Sequence, residues 1–267
     1  MIHTSASRQV VHPTGALSAA ARQRMLSRKG EPLFIAAWEN ALMIHLEVDA
    51  NELQHAVPFE LDLWNGRAFV SLVAFTMRDM RPRLGGKLGA WLFRPIATHN
   101  FLNVRTYVRH NDEPGIHFLA EWLSSRLAVK LGPTIFSLPY RFGQIAYNHD
   151  WKMDSLSGIV TDVKDGSELR YEANKRFDTQ NVFTPCECGS LDEWLMERYT
   201  AFNSAGRHKR FFRVWHPPWP QCPLDATIHD DSLLTQHWPW FNEARLAGAN
   251  FSPGFREVWM GRPHRIH

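Results

Sequence analysis

The chain has 267 residues, 44% of them hydrophobic and 21% charged, the balance of an ordinary globular protein, which argues against a disordered chain. The formal charge of +3 comes from 30 basic and 27 acidic residues dispersed among one another, so a nucleic-acid partner is not expected. This length is sufficient to bury a full-sized core, and no linker, repeat or low-complexity tract divides it.

Residues 1–31 read as a basic N-terminal arm, because Arg8, Arg22, Arg24, Arg28 and Lys29 precede the first acid, Glu31, and a short helix is expected near Leu17 to Leu26. Residues 32–267 read as a single domain. Phe34 to Val48 has strand character. Asp49 and Glu52 form a capping-box pattern that opens a helix, and Pro58 stops it. Ala68 to Arg78 is apolar at both alternating sets of positions, as in a strand buried on both sides. Arg81 to Asn100, with its prolines and the adjacent Gly85 and Gly86, reads as a long loop.

Two alternating runs follow. Leu102, Val104, Thr106 and Val108 alternate with Asn103, Arg105, Tyr107 and Arg109; beyond Asn111–Gly115, Ile116, Phe118, Ala120 and Trp122 alternate with His117, Leu119 and Glu121. Keeping the apolar sets on one face predicts a hairpin with a five-residue loop and Arg105 opposite Glu121. Leu123, Leu127 and Leu131 then recur at helical spacing as a buried stripe, ended by Gly132 and Pro133. Strands are expected over Tyr140–Tyr147, Gly158–Val163 and Leu169–Ala173, the last two joined at Asp165–Gly166. Ser190 and Glu193 cap a helix whose buried side carries Leu191, Trp194, Leu195, Tyr199 and Phe202. Further strands are expected at Arg210–Trp215 and Gly254–Met260. Strands interrupted by short helices define an α+β, mostly antiparallel fold.

Chemical motifs are sparse. Cys186, Cys188 and Cys222 are too few for a disulfide framework and lack the spacing of a zinc site, so reduced thiols and a cytoplasmic setting are expected. None of the 14 histidines sits in a metal-binding pair, and no metal is expected. Phosphate-loop, nucleophile-elbow and dinucleotide motifs are missing, so no cofactor is expected. Apolar runs are too short to span a bilayer, and no membrane partner is expected. The polar side of the predicted hairpin (Asn103, Arg105, Tyr107, His117 and Glu121) faces either solvent or an enclosed lumen.

Several segments resemble the YqjF-like family of uncharacterised proteins: Ala56 to Pro58 with Leu61 and Asp62, Asn103 to Val108, Gly115 to Phe118, and Leu138 to Tyr140. The likeness covers roughly residues 33 to 262, and the family is similar to acetoacetate decarboxylase in fold. It implies a cone-shaped, mostly antiparallel β-barrel with a few short helices around an apolar cavity. In the decarboxylase, a glycine and a proline lead into two consecutive lysines, the first of which forms a Schiff base with the keto acid. The matching run here is Gly132 to Arg141, with Tyr140 and Arg141 where the lysines would stand, so decarboxylation by that route is not expected. The decarboxylase's two pocket carboxylates would fall near Val73 and Phe101, both apolar here.

Three functional classes follow from this reading. One is a cavity for a small apolar or carboxylate-bearing molecule, with Asn103, Arg105, Tyr107, Glu121 and Arg141 as its polar fixtures. The second is an enzyme of different chemistry that uses Tyr140 as general acid or base, its phenol tuned by Arg141. The third is a structural or homo-oligomer-forming protein.

Overall fold

The computed structural model describes residues 15–136, 138–177, 182–205 and 208–266; the first fourteen residues of the expected arm lie outside them. In chain order the elements are α1 (Ala16–Leu26), β1 (Phe34–Val48), α2 (Ala50–Ala56), β2 (Glu60–Leu61), β3 (Ala68–Pro82), α3 (Gly86–Phe93) and a 3-10 turn (Arg94–Ile96). Then come β4 (His99–His110), β5 (Glu113–Leu123), α4 (Arg126–Phe136), β6 (Tyr140–Asn148), β7 (Ser155–Asp162), β8 (Glu168–Lys175) and α5 (Leu191–Met196). The remainder is β9 (Thr200–Ala205), β10 (His208–Trp215), β11 (Cys222–Asp230), α6 (Ser232–Thr235), a 3-10 turn (Pro239–Glu243), β12 (Arg245–Met260) and β13 (His264–Arg265).

All strands belong to one sheet that closes into a ring, because β4 pairs with β5 and β10 pairs with β12 in addition to the neighbours along the sheet. The closure is double. One circuit runs β5–β6–β7–β8–β11–β12–β1–β3–β4, the other β5–β9–β10–β12–β1–β3–β4, and both use β12, β1, β3, β4 and β5 as a common wall. This explains the two-sided apolar pattern of β3. Val70, Leu72 and Ala74 pack with Leu42, Leu102 and Trp122 in one core, while Phe69, Val73 and Phe75 pack with Met43, Phe101 and Tyr107 in the other.

Local signals act as their chemistry requires. Asp49 caps α2 by accepting from the Asn51 and Glu52 amides at 2.8 and 2.9 Å, a contact worth about 1 kcal/mol. Ser190 caps α5 by accepting from the Glu193 amide at 3.1 Å. That helix stops at Met196, so Tyr199 precedes and Phe202 lies in β9 rather than on a helical stripe. The β9 segment is claimed by pairing with β10 and β5, and the crossing is tight: a Cβ on Gly115 would lie 2.5 Å from the Thr200 carbonyl oxygen.

Three further expectations are corrected. The 81–100 segment is not a bare loop but contains α3 and its 3-10 extension. Leu127 and Leu131 are exposed rather than buried, and α4 continues through Gly132 and Pro133 to Phe136, lying so close to β6 that a Cβ on Gly132 would meet the Tyr140 ring. The 104–123 hairpin has a tight turn with Asn111 at φ 53°, and a bulge between Val104 and Arg105 and their partners leaves Leu119 unpaired. Asn103, not Arg105, therefore faces Glu121, and Arg105 faces Phe118. The extra residue reverses the phase of β5: Ile116 and Phe118 point the same way as Glu121, and His117 points the other way.

Candidate functional site

The face of the β4–β5 wall that carries Phe101, Asn103, Arg105, Phe118 and Glu121 borders a cavity of about 90 Å³, room for a small organic molecule. Val73 and Phe75 of β3, Tyr140 of β6, and Phe212 and Val214 of β10 complete much of the apolar lining. Arg198, His216 and Trp219 enter from the segments that flank β9 and β10. The site is thus enclosed, and the alternative of a solvated hairpin face is excluded: Asn103, Arg105 and Glu121 are all buried.

Five polar atoms on lining residues have no hydrogen-bond partner among the described residues: Asn103 Oδ1, Arg105 Nε, Glu121 Oε2, Arg198 Nη2 and Trp219 Nε1. Buried polar atoms are normally paired, and an unpaired one costs about 1–3 kcal/mol. Five orphans around one space set this site apart from ordinary core.

The two arginines differ in compensation. Arg198 makes a 2.7 Å ion pair with buried Asp62, donates to the Trp194 carbonyl at 2.6 Å, and stacks on the Trp194 ring at 4.2 Å. Asp62 is held from its other side by Arg109 at 2.8 Å. Arg105 has only the Leu195 carbonyl, at 3.2 Å, and no ion pair with any described carboxylate. A guanidinium keeps its charge in proteins, so this buried cation lacks an ion-pair partner among the described residues, and Glu197 interacts with it only through a longer-range field.

Glu121 does not supply that counter-charge. Burial raises its pKa well above the ordinary carboxylate range, which favours the neutral acid, the form able to donate a hydrogen bond. Burial, and secondarily the neighbouring Glu121, push the Tyr140 phenol well up as well, so it also keeps its proton. Both groups are therefore donors, set on adjacent strands where Glu121 and Tyr140 are direct register partners.

Tyr107 stands behind the cavity, in a hydrogen-bonded chain that runs through the wall. Its hydroxyl meets Ser71 Oγ and lies 3.0 Å from the Leu195 carbonyl. Ser71 reaches His45 Nδ1 at 2.6 Å, His45 Nε2 reaches Asn250 Oδ1 at 3.2 Å, and the Asn250 amide donates to Gln221 Oε1 at 2.8 Å. Since Asn250 uses its NH₂ on Gln221, its oxygen accepts from His45 Nε2–H, and Ser71 donates to Nδ1. Burial first, and the Arg105 charge second, depress the His45 pKa to about 3, so the ring stays neutral. The serine and histidine touch but are fully buried away from the cavity, which excludes a nucleophilic role.

Arg141 is not a cavity residue. Adjacent residues of a strand face opposite ways, so with Tyr140 turned inward Arg141 points outward, where it donates to His237 Nε2 at 3.1 Å, approaches Asp162 at 3.8 Å and covers the Trp122 ring. The idea that Arg141 tunes the Tyr140 phenol fails for the same reason. Asp162, Asp165 and His237 are the one described group with metal-ligand spacing, and the Arg141 cation already occupies its centre of charge.

Among the described residues no lysine lines the cavity, and Lys130 on α4 is exposed. Val73, Phe101 and Tyr140, the positions matched to the decarboxylase's carboxylates and lysine, all line it. Reading the sequence missed Arg198 and its partner Asp62. The available signal was an arginine set in the apolar run of Leu195, Met196 and Tyr199.

The fold is similar to solved structures described as acetoacetate decarboxylase-like. The acetoacetate decarboxylase of Legionella pneumophila matches with a TM-score of 0.59 at 12% identity, over 88% of this chain and 87% of that one. The enduracididine biosynthesis enzyme MppR, complexed with pyruvate, matches with a TM-score of 0.61 at 11% identity, over 88% and 91%. The chain belongs to the DUF2071 family, described as an uncharacterized conserved protein, which matches residues 35–248. The uncharacterized protein YqjF of Bacillus subtilis (strain 168) is 32% identical over 204 residues, 75% of this chain and 79% of that protein.

Proposed function

We propose that this protein binds a small monocarboxylate with an apolar body inside the ring, which we read as the cone-shaped barrel of its fold class. The observation that carries the proposal is the buried Arg105 charge without a carboxylate partner. A ligand carboxylate supplies the missing counter-charge in bidentate geometry, since Nε is unpaired. Neutral Glu121 and Tyr140 donate to a second oxygen, and the aromatic lining takes the apolar end. That MppR, of similar fold, was solved with pyruvate, a small 2-oxo carboxylate, supports the size and charge of the ligand. With no lysine at the site, binding proceeds without an imine. The free cysteines favour a reducing, cytoplasmic setting.

The test is a thermal-shift series that compares short carboxylic acids with their amides. A native-state ligand raises the melting temperature, so the acids should stabilise and the amides should not. Equal shifts for both would remove the anion-binding role. Borohydride treatment with 2-oxo acids should leave the intact mass unchanged.

A second reading is favoured by the proton-bearing pair. Glu121 and Tyr140 together can polarise a carbonyl oxygen of the same ligand, which makes Tyr140 an acid and not a base. Any turnover found should drop in Tyr140→Phe; unchanged turnover would rule this reading out.

A further inference from the structure

α3 is amphipathic in the wrong direction for a core helix. Its inward side offers Gly89, which is buried and packs beside the Leu84 carbonyl and Pro82. Its outward side shows Leu88, Trp91 and Leu92, which are 68, 66 and 61% exposed, and Leu84, just before the helix, is 71% exposed. Leu88, Trp91 and Leu92 recur at helical spacing, so they form one stripe. Leu127 and Leu131 on α4, which packs on the adjoining 3-10 turn, are exposed beside it. Contiguous apolar surface of this kind marks an interaction site.

The charges within the segment, beyond the exposed Asp79 at its start, are basic. Arg81, Lys87 and Arg94 are exposed on the same segment, and Arg126 and Lys130 on α4. No acid occurs between Asp79 and Asp112, or between Glu121 and Asp150. A two-fold interface formed by this face would set these cations against their own copies, which disfavours self-association. Leucines and a tryptophan framed by arginine and lysine are instead the composition of an element lying in an anionic lipid interface.

We infer that α3 and its 3-10 extension form a docking element for anionic membrane surfaces, beside a small apolar space that adjoins the cavity. Beneath it, Phe93 and Ile96 close a small apolar space that shares Met77, Met80, Phe101, Phe136 and Tyr140 with the main cavity. The proposed lipid-facing element thus borders a space that adjoins the site. No helix of the described residues is long and apolar enough to cross a membrane, but lying on one needs only this short stripe and its cations. The inference stands apart from the carboxylate reading, because it concerns lipid contact and not cavity contents.

The experiment is co-sedimentation of the full chain with vesicles of phosphatidylglycerol and phosphatidylcholine, against pure phosphatidylcholine vesicles. Binding is expected only on the anionic vesicles and should weaken with salt. Lys87→Gln/Arg94→Gln should bind about thirty-fold more weakly, from the usual contribution of each cation near an anionic surface. Leu88→Ser/Trp91→Ser should lose binding while keeping the parent's melting temperature, since both side chains are exposed. Failure of the parent to sediment with anionic vesicles, or sedimentation of either double variant equal to the parent's, overturns the inference. So does a parent dimer that Leu88→Ser/Trp91→Ser converts to a monomer, which would assign the stripe to a second copy.

Discussion

Two buried polar regions lie within one wall of this protein, and they are built on opposite principles. In the chain from Tyr107 through Ser71 and His45 to Asn250, each group meets the next and Gln221 ends the run. Around the cavity, Asn103, Arg105, Glu121, Arg198 and Trp219 each keep a polar atom unmatched. The first region holds the fold in a single arrangement. The second retains unspent hydrogen-bonding and charge, which is what a binding site needs and a core avoids.

That contrast can be broken most severely at Asp62. Asp62→Asn removes the counter-charge of Arg198 and should cost about 3–5 kcal/mol in urea unfolding, because it leaves a buried cation unpaired. Ser71→Ala cuts the closed chain and should cost about 1–3 kcal/mol without changing any carboxylate affinity. Arg105→Met acts with the opposite sign. Removal of an uncompensated charge should leave stability equal or raise it by about 1 kcal/mol, while the stabilisation by carboxylic acids disappears. A loss of several kcal/mol in Arg105→Met would mean that this arginine is structural.

The pH dependence separates the regions more finely. His45 is depressed to about 3, and His149 and His216 to about 4, from an ordinary 6.5, chiefly by burial. Between those values the unfolded chain binds more protons, so their contribution is present above pH 6.5 and lost as the pH falls. Glu121 runs the other way: its raised pKa favours the folded state below about 4.5, an advantage lost as the pH rises through the folded value. Glu121→Gln should therefore change stability at mildly acidic pH by less than about 0.5 kcal/mol and flatten the decline on the alkaline side. An unaltered alkaline limb in Glu121→Gln would show that Glu121 is ionised.

Most elements were legible because alternation and capping are local. β1, β3, β7, β8 and α2 follow from residue patterns that need no distant partner. What stayed hidden was phase. Asn103, Arg105 and Glu121 were visible as polar residues in apolar strands, but a bulge at Leu119 has no residue signature, so the pairing of Arg105 with Glu121 followed from an unbroken count. Arg141 was misplaced for a simpler reason: it was matched to a lysine by position, although its neighbour Tyr140 already claims the inward side. α3 was hidden because its large side chains face water, against the pattern that usually reveals a helix.

Along Ala68–Phe75 of β3 the wall shared by the two closures has no outer side. Val73 borders the cavity while its neighbours Leu72 and Ala74 are set in the other core. A substitution that reshapes the pocket from β3 also shifts the backbone on which that second core is assembled. Ligand preference in such a molecule is therefore freer to diversify from Phe212 and Val214 of β10, outside the doubly loaded partition, than from within it.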